Sequence, residues 1–97
     1  MSRLNHKKLE VYIKSSELVK LVYQLTNYFS NSELYGLTSQ IRRSAISVIS
    51  NLSEVASRKS ELDRKRFYEI SRSSFVELDT QIEIAFSLGF INPILKN

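Results

Sequence analysis

The chain has no cysteine and no tryptophan, and only one proline and two glycines among 97 residues. Without cysteine there is no disulfide framework, no thiolate metal site and no thiol nucleophile. Glycine and proline average about 12% of residues in globular chains, far above what is present here. Sandwiches and barrels need many turns, and turns need these two residue types. An all-β fold is therefore all but excluded, and long helices with few connections are expected. No apolar run approaches the ~18 residues of a membrane span. Residues 1–8 lack the apolar stretch of a secretory signal. The length supports one domain over residues 1–97, expected to be cytoplasmic and to make no membrane contact.

Fourteen Lys and Arg oppose ten Asp and Glu, a net charge of +4. The excess is uneven. Arg42, Arg43, Arg58, Lys59, Arg64, Lys65, Arg66 and Arg72 crowd the middle of the chain, whereas Glu77, Asp79 and Glu83 follow. Basic side chains neutralise phosphates and release counterions, so the first seven are candidate nucleic-acid-binding residues. The competing reading is a solvated helix junction with local ion pairs such as Glu61 with Lys65.

Apolar residues recur at helical spacing in three stretches. In the first, residues 9–27, Val11, Leu18, Val22 and Leu25 form one row, and Tyr12, Val19 and Tyr23 a second. Tyr28 and Phe29 interrupt the polar connection that follows and are expected to fold over the end of the bundle. The second, residues 33–57, has Ser32 as its candidate N-cap and a seam of Leu34, Leu37, Ile41, Ala45, Val48, Leu52 and Val55. Gly36 weakens its first turn, so Thr38 is an alternative start. The third, residues 61–88, opens with Ser60 and Asp63 as a capping box and closes on Gly89, which suits a left-handed C′ position. Asn92-Pro93 then reads as the start of a fourth helix. Three helices with such wide apolar arcs leave a face to be covered by a further segment or by neighbouring subunits.

Candidate chemistry is sparse. His6, in the polar N-terminal stretch, is the single histidine, so neither a Ser–His pair nor a His-rich metal site can be assembled. An Arg followed within a few residues by His, as a helical ribonuclease would use, is missing after Arg43. At about 100° per residue, Glu77 and Asp79 point about 200° apart, and Glu83 lies about 240° from Glu77. No catalytic residue, metal or cofactor is expected. Gln40, Arg43, Ser47, Asn51 and Glu54 form a polar stripe on the second helix. It is either ordinary surface or a hydrogen-bonded interface, with Glu54 pairing Arg58 or Arg66.

Glu33-Leu34-Tyr35-Gly36-Leu37-Thr38-Ser39-Gln40-Ile41-Arg42-Arg43, continuing through Asn51 and Glu54, resembles the motif of the 23S rRNA-intervening-sequence proteins. Arg66-Phe67, then Glu77-Leu78-Asp79-Thr80-Gln81 and Leu88-Gly89-Phe90, resemble its second half. Ile49, Ser53, Val55 and Ser73 depart from that pattern in replacing Pro, Ala, Gly and Gly. The resemblance covers about residues 9–91. It implies an all-α, antiparallel up-and-down four-helix bundle, its fourth helix largely absent from this chain, assembled as a homopentamer. Gln40, Ser47, Asn51, Glu54, Glu77 and Gln81 become candidate interface or structural polar residues. Relatives are encoded in insertions of bacterial 23S rRNA genes, and a distantly similar group are accessory proteins of diversity-generating retroelements. The expected function is a non-catalytic oligomer binding RNA or DNA. The alternative is a protein-interaction scaffold or accessory subunit, for example for a reverse transcriptase.

Overall fold

The computed structural model describes residues 6–91. Among them are three α-helices, α1 (His6–Thr26), α2 (Leu37–Ser57) and α3 (Glu61–Ser87), with a short 3₁₀ turn at Asn31–Glu33 and no strand. The start of a fourth helix expected at Pro93 lies outside the described residues, which hold three helices. α3, at 27 residues, spans about 40 Å and sets the 44 Å long axis of the molecule.

The helix ends follow from local chemistry. α2 begins at Leu37 and not at residue 33, because Ser30 accepts from Ser32 N and caps only the 3₁₀ turn. The chain then bends through Gly36, whose backbone (φ −111°, ψ −113°) is not helical. The Glu33 carboxylate takes up the freed Leu37 N–H at 3.5 Å. α3 starts where Ser60 Oγ accepts the Asp63 N–H at 3.1 Å. It stops in a Schellman motif, with Phe90 N donating to Ala85 O and Gly89 N to Phe86 O. That geometry requires a positive φ, and Gly89 supplies it at 82°.

α2 is the central element: α1 and α3 each lie antiparallel against it and make no close backbone contact with each other. The α2–α3 seam is built from small residues. Ser47 and Ser74 share a hydrogen bond of 2.8 Å, Ser44 donates to Gln81 Oε1 at 3.0 Å, and Ser71 donates to the Val48 carbonyl at 3.0 Å. Ala45 and Ala85, both fully buried, complete the close approach. Val22, Phe29, Ile41 and Leu78 join them in the core, flanked by Leu18, Leu25 and Ile82. Phe29 folds back as expected and meets Phe90 at 5.7 Å, but Tyr28 points outward.

Much apolar surface stays uncovered. On α3, Tyr68, Phe75 and Phe86 are about half exposed on the flank opposite Gln81. On α1, Leu21 is exposed beside Leu18 and Leu25. Between these flanks the side chains of α1 and α3 close over α2 in the core cluster, and toward the α2–α3 turn an open groove remains, with walls that include Val11, Leu52, Val55 and Leu62.

Two substitutions test this core. Ile41→Ala should lower stability by about 2–5 kcal/mol in urea denaturation, because Ile41 is the one large side chain among the described residues with no exposed surface. Thr38, 2% exposed, has a hydroxyl with no hydrogen-bond partner. Thr38→Val should therefore raise stability by about 1 kcal/mol, read as a higher urea midpoint.

Candidate nucleic-acid interface

The seven arginines and lysines expected to bind nucleic acid fall into two groups at opposite ends of α2. About 22 Å of helix rise separates Arg43 from Arg58, so they do not form one continuous patch. Within each group the fold uses some cations internally and leaves others free.

Near the start of α2, Arg42 is bound to α1. Its Nε donates to Thr26 Oγ1 at 2.8 Å, and its Nη2 to Asn27 Oδ1 at 3.2 Å. Its guanidinium also lies 4.4 Å from the Tyr23 ring centroid, a cation–π geometry. Thr26 is itself buried and donates to Val22 O at 2.8 Å, which fixes its oxygen as an acceptor. Arg42 is thus a clamp between α1 and α2. Arg43, one residue on, turns about 100° away and is exposed, with a single 3.4 Å contact to Ser39 Oγ.

At the α2–α3 turn, Arg58 donates through Nε (3.0 Å) and Nη2 (2.8 Å) to one carboxylate oxygen of Glu54. Of the two partners expected for Glu54, the structure selects Arg58. Both side chains are more than 40% exposed, so the pair adds at most about 1 kcal/mol. Arg64 reaches back along the turn, its Nη1 donating to the carbonyls of Arg58 and Lys59 at 2.9 Å each. Those carbonyls lie just past the negative end of α2, where a cation is favoured. Phe67 lies beneath the guanidinium groups of Arg58 (5.0 Å) and Arg66 (5.7 Å). Lys59, Lys65 and Arg66 are exposed, and none of them pairs with a carboxylate among the described residues.

The polar candidates divide likewise. Ser47 and Gln81 enter the α2–α3 seam. Asn51 stays on its own helix, donating to Ser47 O at 2.8 Å and Ser47 Oγ at 3.2 Å. Gln40 and Glu77 are exposed. The sequence reading missed Ser44, Ser71 and Ser74 as hydrogen-bonding residues of the seam. Their spacing on the buried rows, where apolar residues are expected, was the available signal. It also missed Thr26 and Asn27 as the anchors of Arg42, which no spacing within one helix could reveal.

No group of three His, Asp or Glu side chains among the described residues converges on a metal-sized site. No helix among them is long and apolar enough to cross a membrane.

The division of labour between neighbouring arginines is measurable. Arg42→Ala should cost about 1–2 kcal/mol of stability in chemical denaturation. Arg43→Ala should stay within about 0.5 kcal/mol of the parent.

Residues 7–95 match the model of the family described as 23S rRNA-intervening sequence protein, a description that names no reaction. No curated protein matches the chain.

Proposed function

The chain belongs to the 23S rRNA-intervening sequence protein family, and from that premise we propose a non-catalytic, homo-oligomeric helical-bundle protein that binds RNA or another nucleic acid through its basic surface. The observation that carries this reading is the set of cations left free by the fold. Arg43, Lys59, Lys65 and Arg66 are exposed and have no carboxylate partner among the described residues. Arg58 and Arg64 hold the α2–α3 turn in shape beneath them and add their charge to the same field. Exposed cations cost nothing to desolvate until a polyanion arrives, and counterion release then drives binding.

The open groove between α1 and α3 supports the oligomeric part of the proposal. A flank of half-exposed aromatic and aliphatic side chains loses favourable burial free energy in water. A fourth helix, completing an up-and-down bundle, or the face of a neighbouring subunit would cover it. A pentamer is the assembly proposed. Five copies at +4 would carry about +20, with each basic turn repeated around a ring. The same groove favours a second reading, in which the oligomer is a scaffold or accessory subunit docking another protein such as a reverse transcriptase. The cations would then serve solubility or subunit pairing.

A filter-binding titration with RNA, paired with light scattering on the same sample, tests the proposal. Binding should weaken steeply between about 50 and 200 mM salt, on a particle of five times the monomer mass. Lys59→Glu combined with Lys65→Glu should reduce affinity at least tenfold without altering the melting temperature. Binding that ignores salt, or no binding at the low end, would overturn the nucleic-acid reading. A protein that co-purifies after nuclease treatment would favour the scaffold.

A further inference from the structure

Outside the α2–α3 turn, the outer surface between α1 and α2 carries a second basic site with a different composition. An open cleft of about 420 Å³ is lined there by Tyr23, Tyr35, Ser39, Arg42, Arg43 and Ile46, together with Leu34. No carboxylate is among those residues. Two guanidinium groups, two phenol rings and an aliphatic wall therefore face the same space.

Tyr35 is the most conspicuous of them. At 94% it is the most exposed large hydrophobic residue among those described. It sits in the bend between the 3₁₀ turn and α2, where neither helix can bury it. Its ring stacks on no other ring or guanidinium among the described residues. The opposite side of the cleft is held rigid. Tyr23 is covered by the Arg42 guanidinium at 4.4 Å, and Arg42 is itself fixed by Thr26 and Asn27. Arg43 keeps most of its donors free, its one contact being Ser39 Oγ at 3.4 Å. Ser39 belongs to the first turn of α2, so the positive end of the helix adds to the field of the two arginines.

We propose that the Tyr35–Arg43 cleft is a binding site for single-stranded nucleic acid, in which a base stacks on Tyr35 and an adjoining phosphate pairs with Arg43. The proposal rests on the nucleic-acid reading above and gives it a substrate class. Aromatic rings beside arginines accept unpaired bases, because every base has a face to stack and the backbone supplies the anion. A duplex would offer phosphates to Arg43 but no free base face to Tyr35. An acidic peptide would likewise neutralise Arg43 and leave the ring unused. Arg42, already committed to α1, contributes a fixed positive charge at no further cost in side-chain entropy.

The experiment is a fluorescence-anisotropy titration of the full chain at about 50 mM salt. It uses a labelled oligouridine of about 12 nucleotides and an RNA duplex of the same length. Tyr35→Ala should weaken oligouridine binding about 5- to 100-fold and leave duplex binding unchanged. Tyr35→Phe, which keeps the ring, should bind as the parent does. Arg43→Gln should weaken single-strand binding and lower the salt slope by about one. Exposure of Tyr35 outside the core makes its variants fold normally, and unchanged melting temperatures verify this. If the parent binds oligouridine and Tyr35→Ala binds it equally well, the cleft is not the site, while the nucleic-acid reading stands. Equal weakening of strand and duplex by Tyr35→Ala would overturn the stacking role. A parent protein that binds neither RNA overturns both proposals. Displacement of bound oligouridine by an equimolar acidic peptide, with Tyr35→Ala binding that peptide normally, would reassign the cleft to a protein partner.

Discussion

The close approach of α2 and α3 is the constraint on which the remaining structure depends. Serine and alanine side chains line both sides of the seam, so the two backbones can draw near enough for a serine hydroxyl on α3 to reach a carbonyl on α2. Each buried hydroxyl there has a partner, so its desolvation is offset. The arrangement displaces bulk. With small residues filling much of the contact, Leu78 is the one large apolar side chain of α3 that is buried among the described residues, while Tyr68, Phe75 and Phe86 stay about half exposed on the flank. A tight seam and an uncovered apolar flank are thus two results of one packing choice.

That same central position of α2 divides the arginines. A helix packed on two sides has one remaining outward face, and consecutive residues on it point about 100° apart. Arg42 falls toward α1 and becomes a clamp through Thr26, Asn27 and Tyr23. Arg43 falls outward and stays free. At the other end, Arg64 is turned back on the α2–α3 connection by the carbonyls of Arg58 and Lys59, whereas Lys65 and Arg66 face solvent. Fewer guanidinium donors are therefore free to contact a polyanion than the chain contains, although the committed arginines keep their charge, and the free cations are gathered at the two ends of α2.

The family match and the geometry bear on different questions. The match over residues 7–95 establishes kinship, while the geometry says which side chains are at liberty to meet a partner. The basic α2–α3 turn, the Tyr35–Arg43 cleft and the exposed apolar flanks are three parts of one surface. One fold can present all three because α1 and α3 lie on separate flanks of α2 with no close backbone contact between them.

Sequence alone was enough for the helical class and for the local stops. Scarcity of glycine and proline, apolar spacing, the Ser60 cap and the left-handed Gly89 all act within a few residues, where chain order and spatial proximity coincide. The start of α2 was less legible, because Glu33 competes between continuing the first turn and capping Leu37, and the bend at Gly36 decides it. Among the candidate site residues, the pairing of Glu54 with Arg58 was readable at i,i+4 spacing, a contact made on one helix. Only tertiary structure could decide that Arg42 is structural and Arg43 free, that serines rather than large apolar residues close the α2–α3 seam, and that Tyr35 stands beside two arginines. Those outcomes depend on side chains that are distant in the chain and adjacent in space, and periodicity along one helix says which face a residue is on but not what it meets there.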